Sequence, residues 1–232
     1  MKLSQIFIFL FCFFSAISIL GIIVDNEGLF LLGKTILFPC LMFYCFELAN
    51  KKNFFFLLFM SLFYLADVII IIQPDNQSLY LNVILNINHI IILWYTYKNI
   101  EKKPIDKTIL VFTIFMFLLG LSIQYLIYDL IVIKNYNAAI GIFLSGILVC
   151  VFNSISFYNY LKRNCYVYYY FGFACLSMAF MYLFFNIYFY LYNVKILRIL
   201  SLCFKILAYF LFVKFIIEKN IRDNKLKNIR PQ

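Results

Sequence analysis

The sequence predicts an all-α, polytopic membrane protein, a bundle of about eight transmembrane helices. The chain has 232 residues, of which 66% are hydrophobic and 13% charged, and its mean hydropathy is +0.94. A soluble domain carries roughly 25% charged residues and about 45–50% apolar ones. The apolar residues also form long uninterrupted runs, whereas strands of a membrane β-barrel would alternate apolar and polar residues. Helical spans are therefore the expected architecture.

Eight apolar runs are long enough to cross a bilayer, since a helix needs about 20 residues to span roughly 30 Å of hydrocarbon. The connections between the runs are short, and they leave no room for a soluble catalytic domain. We predict one transmembrane domain over residues 1–217 and a basic cytoplasmic tail over 218–232. The runs lie near 6–24, 29–46, 54–72, 79–97, 108–127, 138–158, 168–190 and 199–217.

The first run follows Lys2, as the apolar region of a signal peptide would. The stretch from Ser15 to Gly21 offers no clean small-x-small cleavage site, and cleavage would leave seven spans. We therefore expect an uncleaved first span.

The basic residues predict which side of the membrane each loop occupies. Fourteen Lys and Arg residues fall on the side of the N-terminus, and only Lys134, Lys195 and Arg198 fall on the other side. Basic loops stay in the cytoplasm. The sequence thus predicts an integral protein of a bacterial inner membrane with both termini in the cytoplasm. The net charge of +10 reflects this topology, and no nucleic-acid partner is expected.

The seven cysteines sit singly in or beside apolar runs, without a CxxC pair and without a histidine at metal-ligand spacing. Neither a zinc site nor a disulfide framework is indicated. We expect buried thiols, no metal site and no cofactor.

Four ionisable residues lie well inside the apolar runs: Lys34, Asp67, His89 and Lys205. Such a residue costs about 2.5–3.5 kcal/mol on insertion scales, so it needs a partner, a water-filled cavity or a position near the interface. Counted from the outer ends of their spans, the four lie roughly 8–15 Å deep. We predict that they converge on one pocket in the outer half of the bundle.

The fourth span carries a polar stripe, because Asn82, Asn86, His89 and Thr96 share one helical face. A stripe of this kind is expected to point inward, and it makes Asn86 a candidate ligand-binding residue. The alternative is purely structural. Asp67 would then pair with Lys34 or Lys205, Lys34 would extend to the outer headgroups, and the asparagines would join helices by hydrogen bonds.

Three short motifs resemble a known family. Lys34 through Pro39 (KTILFP) falls in the second span, Ser61 through Asp67 (SLFYLAD) in the third, and Asn88–His89 in the fourth. Together they are similar to the YhhN-like membrane proteins, which include the lysoplasmalogenases and have eight predicted spans. The resemblance covers nearly the whole chain.

The resemblance implies hydrolysis of the vinyl-ether bond of lysoplasmalogen-type lipids, with membrane lipids as partners and a lysophospholipid as substrate. That reaction needs a general acid, a carboxylate that stabilises positive charge or activates water, and a cation for the phosphate. Asp67 and His89 are the candidate catalytic residues. Lys34, Asn86 and Lys205 are the candidate substrate-binding residues.

The second half of the chain departs from the family pattern. Family members usually carry an acidic residue in span seven, whereas this sequence has no Asp or Glu between Asp129 and Glu218. A non-catalytic lipid-binding or membrane-organising protein of the same fold is therefore the alternative. A retinal protein with Lys205 as the Schiff base is disfavoured by Ser201, where microbial rhodopsins usually have Asp. A transporter is disfavoured by the scarcity of Gly and Pro in the spans.

Overall fold

A computed structural model describes residues 2–49, 54–72, 79–98, 100, 106–133, 136–163 and 165–229. Within these ranges the chain forms eight α-helices and one short π-helical segment, without a β-strand. The helices are α1 (Leu3–Ile23), α2 (Glu27–Leu48), α3 (Phe54–Ile72), α4 (Leu79–Lys98), α5 (Lys107–Val132), α6 (Tyr136–Arg163), α7 (Tyr166–Asn186) and α8 (Lys195–Ile229). The π-helical segment, Ile187–Leu191, directly follows α7.

The helices have the length and composition of membrane spans. Among the described residues, six stretches are long and apolar enough to cross a membrane, and they fall in α1, α2, α5, α6, α7 with the π-helical segment, and α8. Helix α3 contains a shorter apolar stretch, Leu57–Ile69, and α4 has 20 residues. The prediction of an all-α polytopic membrane protein is confirmed.

Several helices extend beyond the apolar runs that predict them. Helix α6 has 28 residues and α8 has 35, so α8 continues from the last span as far as Ile229. Hydropathy marks where apolar side chains stop, whereas backbone hydrogen bonds of a helix continue into water. The basic tail predicted from residue 218 is thus helical over most of its length.

Helices α1 and α2 form a close hairpin. Asp25 adopts a left-handed backbone conformation in the turn (φ 55°), and the Asn26 side chain accepts a hydrogen bond from the Leu29 amide at 3.0 Å. A Cβ atom added to Gly33 would lie only 2.6 Å from the carbonyl oxygen of Phe14 on α1. No larger residue fits at position 33, so the glycine permits this close approach of the two helix backbones.

The starts of α2 and α8 meet at one end of the bundle. Lys195 contacts Asp25 at 2.6 Å, and Arg198 contacts Glu27 at 2.6 and 2.9 Å. We call this the outer end, since the charge distribution predicts that it faces away from the cytoplasm. Helix α1 begins and α8 ends at the opposite end, as an even number of spans requires.

An aromatic core fills the bundle on the side of the charged residues that faces away from the outer end. Phe63 packs edge-on against Tyr209 with ring centroids 5.5 Å apart, and Phe59 packs against Phe212 at 5.0 Å. All four rings are at most 5% exposed. Edge-to-face packing of this kind is favourable beyond the area it buries, so the core closes the bundle beneath the cavity described next.

Candidate functional site

A cavity of about 500 Å³ lies between α2, α3, α4, α7, the π-helical segment and α8. This volume is in the range typical of small-molecule sites. Most of the wall is apolar and aromatic, with Phe63, Leu85, Phe185 and Phe189 among the lining side chains. Polar groups occur in two layers, one deep in the bundle and one at the outer end.

The deep layer is an ion-pair cluster that we call the base triad: Lys34, Asp67 and Lys205. The Lys34 Nζ lies 3.1 Å from Asp67 Oδ1, and Lys205 Nζ contacts the same oxygen. The side chains of the three residues are 12%, 11% and 17% exposed, respectively. One carboxylate therefore joins α2, α3 and α8 inside the membrane.

His89 lines the same cavity from α4 and is 1% exposed. Its ring packs between Phe152 and Tyr182, with centroid distances of 5.8 and 5.9 Å. The Nδ1 atom has no hydrogen-bond partner in the described part of the protein. Buried polar atoms are nearly always paired, so an unpaired imidazole nitrogen beside a cavity is a candidate for contact with a ligand.

The outer layer is a bidentate ion pair between Glu27 and Arg198, which we call the mouth pair. Both residues line the cavity, and their side chains are 63% and 26% exposed. The Arg198 guanidinium also lies over the Phe30 ring, 4.3 Å from its centroid. Along each helix the mouth pair precedes a lysine of the base triad by seven residues, or about 10 Å.

Four of the five predicted site residues line this cavity: Lys34, Asp67, His89 and Lys205. The fifth, Asn86, is not among its lining residues. Its side-chain oxygen instead accepts a hydrogen bond from the Ser145 hydroxyl at 2.8 Å, which joins α4 to α6. The structure thus brings the charged residues and the histidine together and leaves Asn86 in a helix-helix contact.

The mouth pair was not among the predicted site residues. Glu27 and Arg198 lie just before apolar runs, and this position is typical of charges in loops or at the membrane interface. Their seven-residue spacing from Lys34 and Lys205 was the available signal, since residues two turns apart share a helical face. The π-helical segment, which places Tyr188 and Phe189 at the cavity, has no comparable sequence signal.

The lining residues are of types suited to binding anions and transferring protons. Two ammonium groups, one guanidinium, two carboxylates and one imidazole surround the described cavity. Elsewhere in the described ranges, as here, no group of three His, Cys, Asp or Glu side chains is placed to hold a metal ion.

No family model matches the chain, and no match is found among curated proteins or among solved structures. Its function is therefore inferred from the chemistry of the cavity.

Proposed function

We propose that the protein binds single-chain ether lipids in this cavity and hydrolyses the vinyl-ether bond of lysoplasmalogen-type lipids there. One observation carries the proposal: a largely apolar cavity between membrane-spanning helices that holds a carboxylate, two ammonium groups and a buried imidazole. The proposal includes membership of the YhhN-like family, which the sequence motifs resemble. It also includes a bacterial inner-membrane location with both termini in the cytoplasm.

The proposed chemistry begins with proton transfer to carbon. His89, once it has taken up a proton, donates that proton to the alkene carbon remote from the ether oxygen, which leaves an oxocarbenium ion. Water adds to the cationic carbon and gives its proton to the imidazole. The resulting hemiacetal separates into a long-chain aldehyde and the glycerophospho alcohol, so one water is consumed and no proton is lost.

Asp67 and the cations have separate roles in this scheme. The Asp67 carboxylate stabilises the cationic intermediate, as fixed charges do where charge develops in a transition state. Lys34 and Lys205 attract the phosphate of the substrate, and the apolar wall accommodates its hydrocarbon chain. Ammonium groups bind phosphate as point charges.

The test is aldehyde release by the purified full-length protein in detergent micelles. Lysoplasmalogen is the substrate, and the released aldehyde is derivatised and quantified by mass spectrometry. His89→Gln is the principal variant, because it removes the proton donor without breaking an ion pair. We expect the rate to fall by about 10²- to 10⁴-fold, the usual contribution of a general acid.

Two controls make the test specific. Asp25→Asn breaks the Lys195 contact outside the cavity and should retain the wild-type rate. A saturated alkyl-ether analogue should bind without releasing aldehyde, because it has no alkene carbon to protonate. Full activity of His89→Gln would refute the proposed site.

Non-catalytic lipid binding is the second candidate, and the pairing of the carboxylates favours it. Each of the two carboxylates that line the described cavity is already neutralised, Asp67 by two lysines and Glu27 by Arg198. This function predicts saturable binding of lysoplasmalogen and of the alkyl-ether analogue with equal affinity, without aldehyde release from either. The same experiment therefore distinguishes the two candidates.

A further inference from the structure

The charges around the described cavity do not balance. The mouth pair cancels itself, because the Arg198 guanidinium contacts both carboxylate oxygens of Glu27 at 2.6 and 2.9 Å. The base triad has two ammonium groups for one carboxylate. One lysine charge is thus left without a counter-charge in a site that is largely removed from water.

The surrounding residues distinguish the two lysines. Lys34 follows Glu27 by seven residues on one face of α2, so the nearest further charge on its own helix is negative. Lys205 follows Arg198 by the same interval on α8, so the nearest further charge on that face of its helix is positive. Asp67 contacts both lysines, and Lys205 has the more positive surroundings, so we take Lys205 to be the lysine in excess. A lysine beside other cations in an apolar pocket is the usual setting for an amine nucleophile.

We propose that Lys205 binds a long-chain aldehyde covalently as a protonated Schiff base, with Asp67 as its counter-ion. The inference takes its ligand from the proposed function, because this aldehyde is the product that vinyl-ether hydrolysis would release. The covalent site would retain that product in the membrane interior.

The reaction balances without an added reagent. Lys205 gives one ammonium proton to the Asp67 carboxylate that it contacts, and its Nζ lone pair then attacks the carbonyl carbon to form a C–N bond. The former carbonyl oxygen is protonated twice and leaves as water, while C=N forms. Overall, an ammonium ion and an aldehyde give a protonated imine and one water, so the net charge beside Asp67 is unchanged.

The geometry accommodates such an adduct. Lys205 Nζ lies 5.7 Å from the centre of the Tyr209 ring, and the lining side chains beyond it are mainly apolar. An alkyl chain attached at Nζ would extend along Phe63 and Phe185. Asp67 is already in contact with the nitrogen that would carry the positive charge.

The test is reductive trapping. Full-length protein in detergent is mixed with an equimolar amount of hexadecanal and sodium cyanoborohydride, which reduces an imine to a stable secondary amine. Intact mass spectrometry should show the addition of one hexadecyl group, and peptide mapping should assign it to Lys205. Lys205→Arg keeps the positive charge and should abolish the adduct. Lys214→Arg replaces a matched lysine on the same helix and should retain it.

An adduct on Lys34, adducts spread over several lysines, or no adduct on the wild-type protein would each overturn the inference. If Lys205→Arg fails to fold, the peptide map of the wild-type protein alone decides the site. Because hexadecanal is added directly, the result is independent of hydrolysis. Trapping at Lys205 without turnover of lysoplasmalogen would refute the proposed hydrolysis only, and turnover without trapping would refute the Schiff base only.

Discussion

Asp67→Asn is expected to destabilise the protein strongly, because it removes the single anion of the base triad. Asp67 contacts the ammonium groups of Lys34 and Lys205, and all three side chains are less than one fifth exposed. The substitution nearly preserves side-chain volume, so packing changes little. What changes is that two buried cations lose their counter-charge.

The expected loss of stability follows from the burial of the base triad. Removing one partner of a buried ion pair costs about 3–5 kcal/mol, because it leaves an uncompensated charge. Repulsion between the two ammonium groups is present before and after the substitution and largely cancels. Asp25→Asn is the matched control: Asp25 also pairs with a lysine, but the Asp25 and Lys195 side chains are 76% and 45% exposed. Exposed pairs contribute about 0–1 kcal/mol.

Unfolding by SDS titration in mild detergent measures both effects, with circular dichroism reporting the helices and Trp94 as the single tryptophan reporting α4. Replacing the whole base triad by Asp67→Leu, Lys34→Met and Lys205→Met should recover most of the stability, because no charge of the triad then remains. An Asp67→Asn cost no larger than that of Asp25→Asn would refute the conclusion that the base triad is shielded from water.

Three further predictions concern packing, hydrogen bonding and topology. Gly33→Ala should cost about 1–3 kcal/mol through overpacking, whereas Gly172→Ala, whose new Cβ would meet nothing nearer than 3.7 Å, should stabilise by up to about 1 kcal/mol in the same SDS titration. Tyr209→Phe should leave stability unchanged within about 0.5 kcal/mol, because this hydroxyl has no partner among the described residues, and Tyr182→Phe should cost about 1 kcal/mol for its 2.6 Å bond to the Ile142 carbonyl. Equal changes in stability for Gly33→Ala and Gly172→Ala, or for Tyr209→Phe and Tyr182→Phe, would contradict the assigned contacts. Green fluorescent protein fused to the C-terminus should fluoresce and alkaline phosphatase fused there should be inactive, and the reverse would overturn the predicted orientation.

Hydropathy predicted the helices well because a chain in lipid must satisfy its backbone hydrogen bonds internally. Each apolar run of about 20 residues therefore becomes a helix, whatever packs beside it. Boundaries were less predictable. Helix α8 continues to Ile229 because helical hydrogen bonding does not stop where apolar side chains do.

The ionisable residues in the spans were conspicuous for the same physical reason, since charge is expensive in hydrocarbon. Lys34, Asp67, His89 and Lys205 could be singled out, and similar depth below the outer surface suggested a shared pocket. The sequence could not exclude a single salt bridge with Lys34 extended to the headgroups. The structure shows both lysines on one carboxylate.

By itself, the sequence determined which segments are helical, that they form a membrane bundle and which residues are costly to bury. The tertiary structure decided which of these residues meet. In the folded bundle Asn86 accepts a hydrogen bond from Ser145, and Glu27 pairs with Arg198 at the mouth of the cavity. The physical reason is that the rotation of each helix about its axis depends on contacts with its neighbours, such as the close approach of Gly33 to α1. The position of a residue within an apolar run indicates its depth in the membrane, whereas packing between helices determines which way its side chain faces.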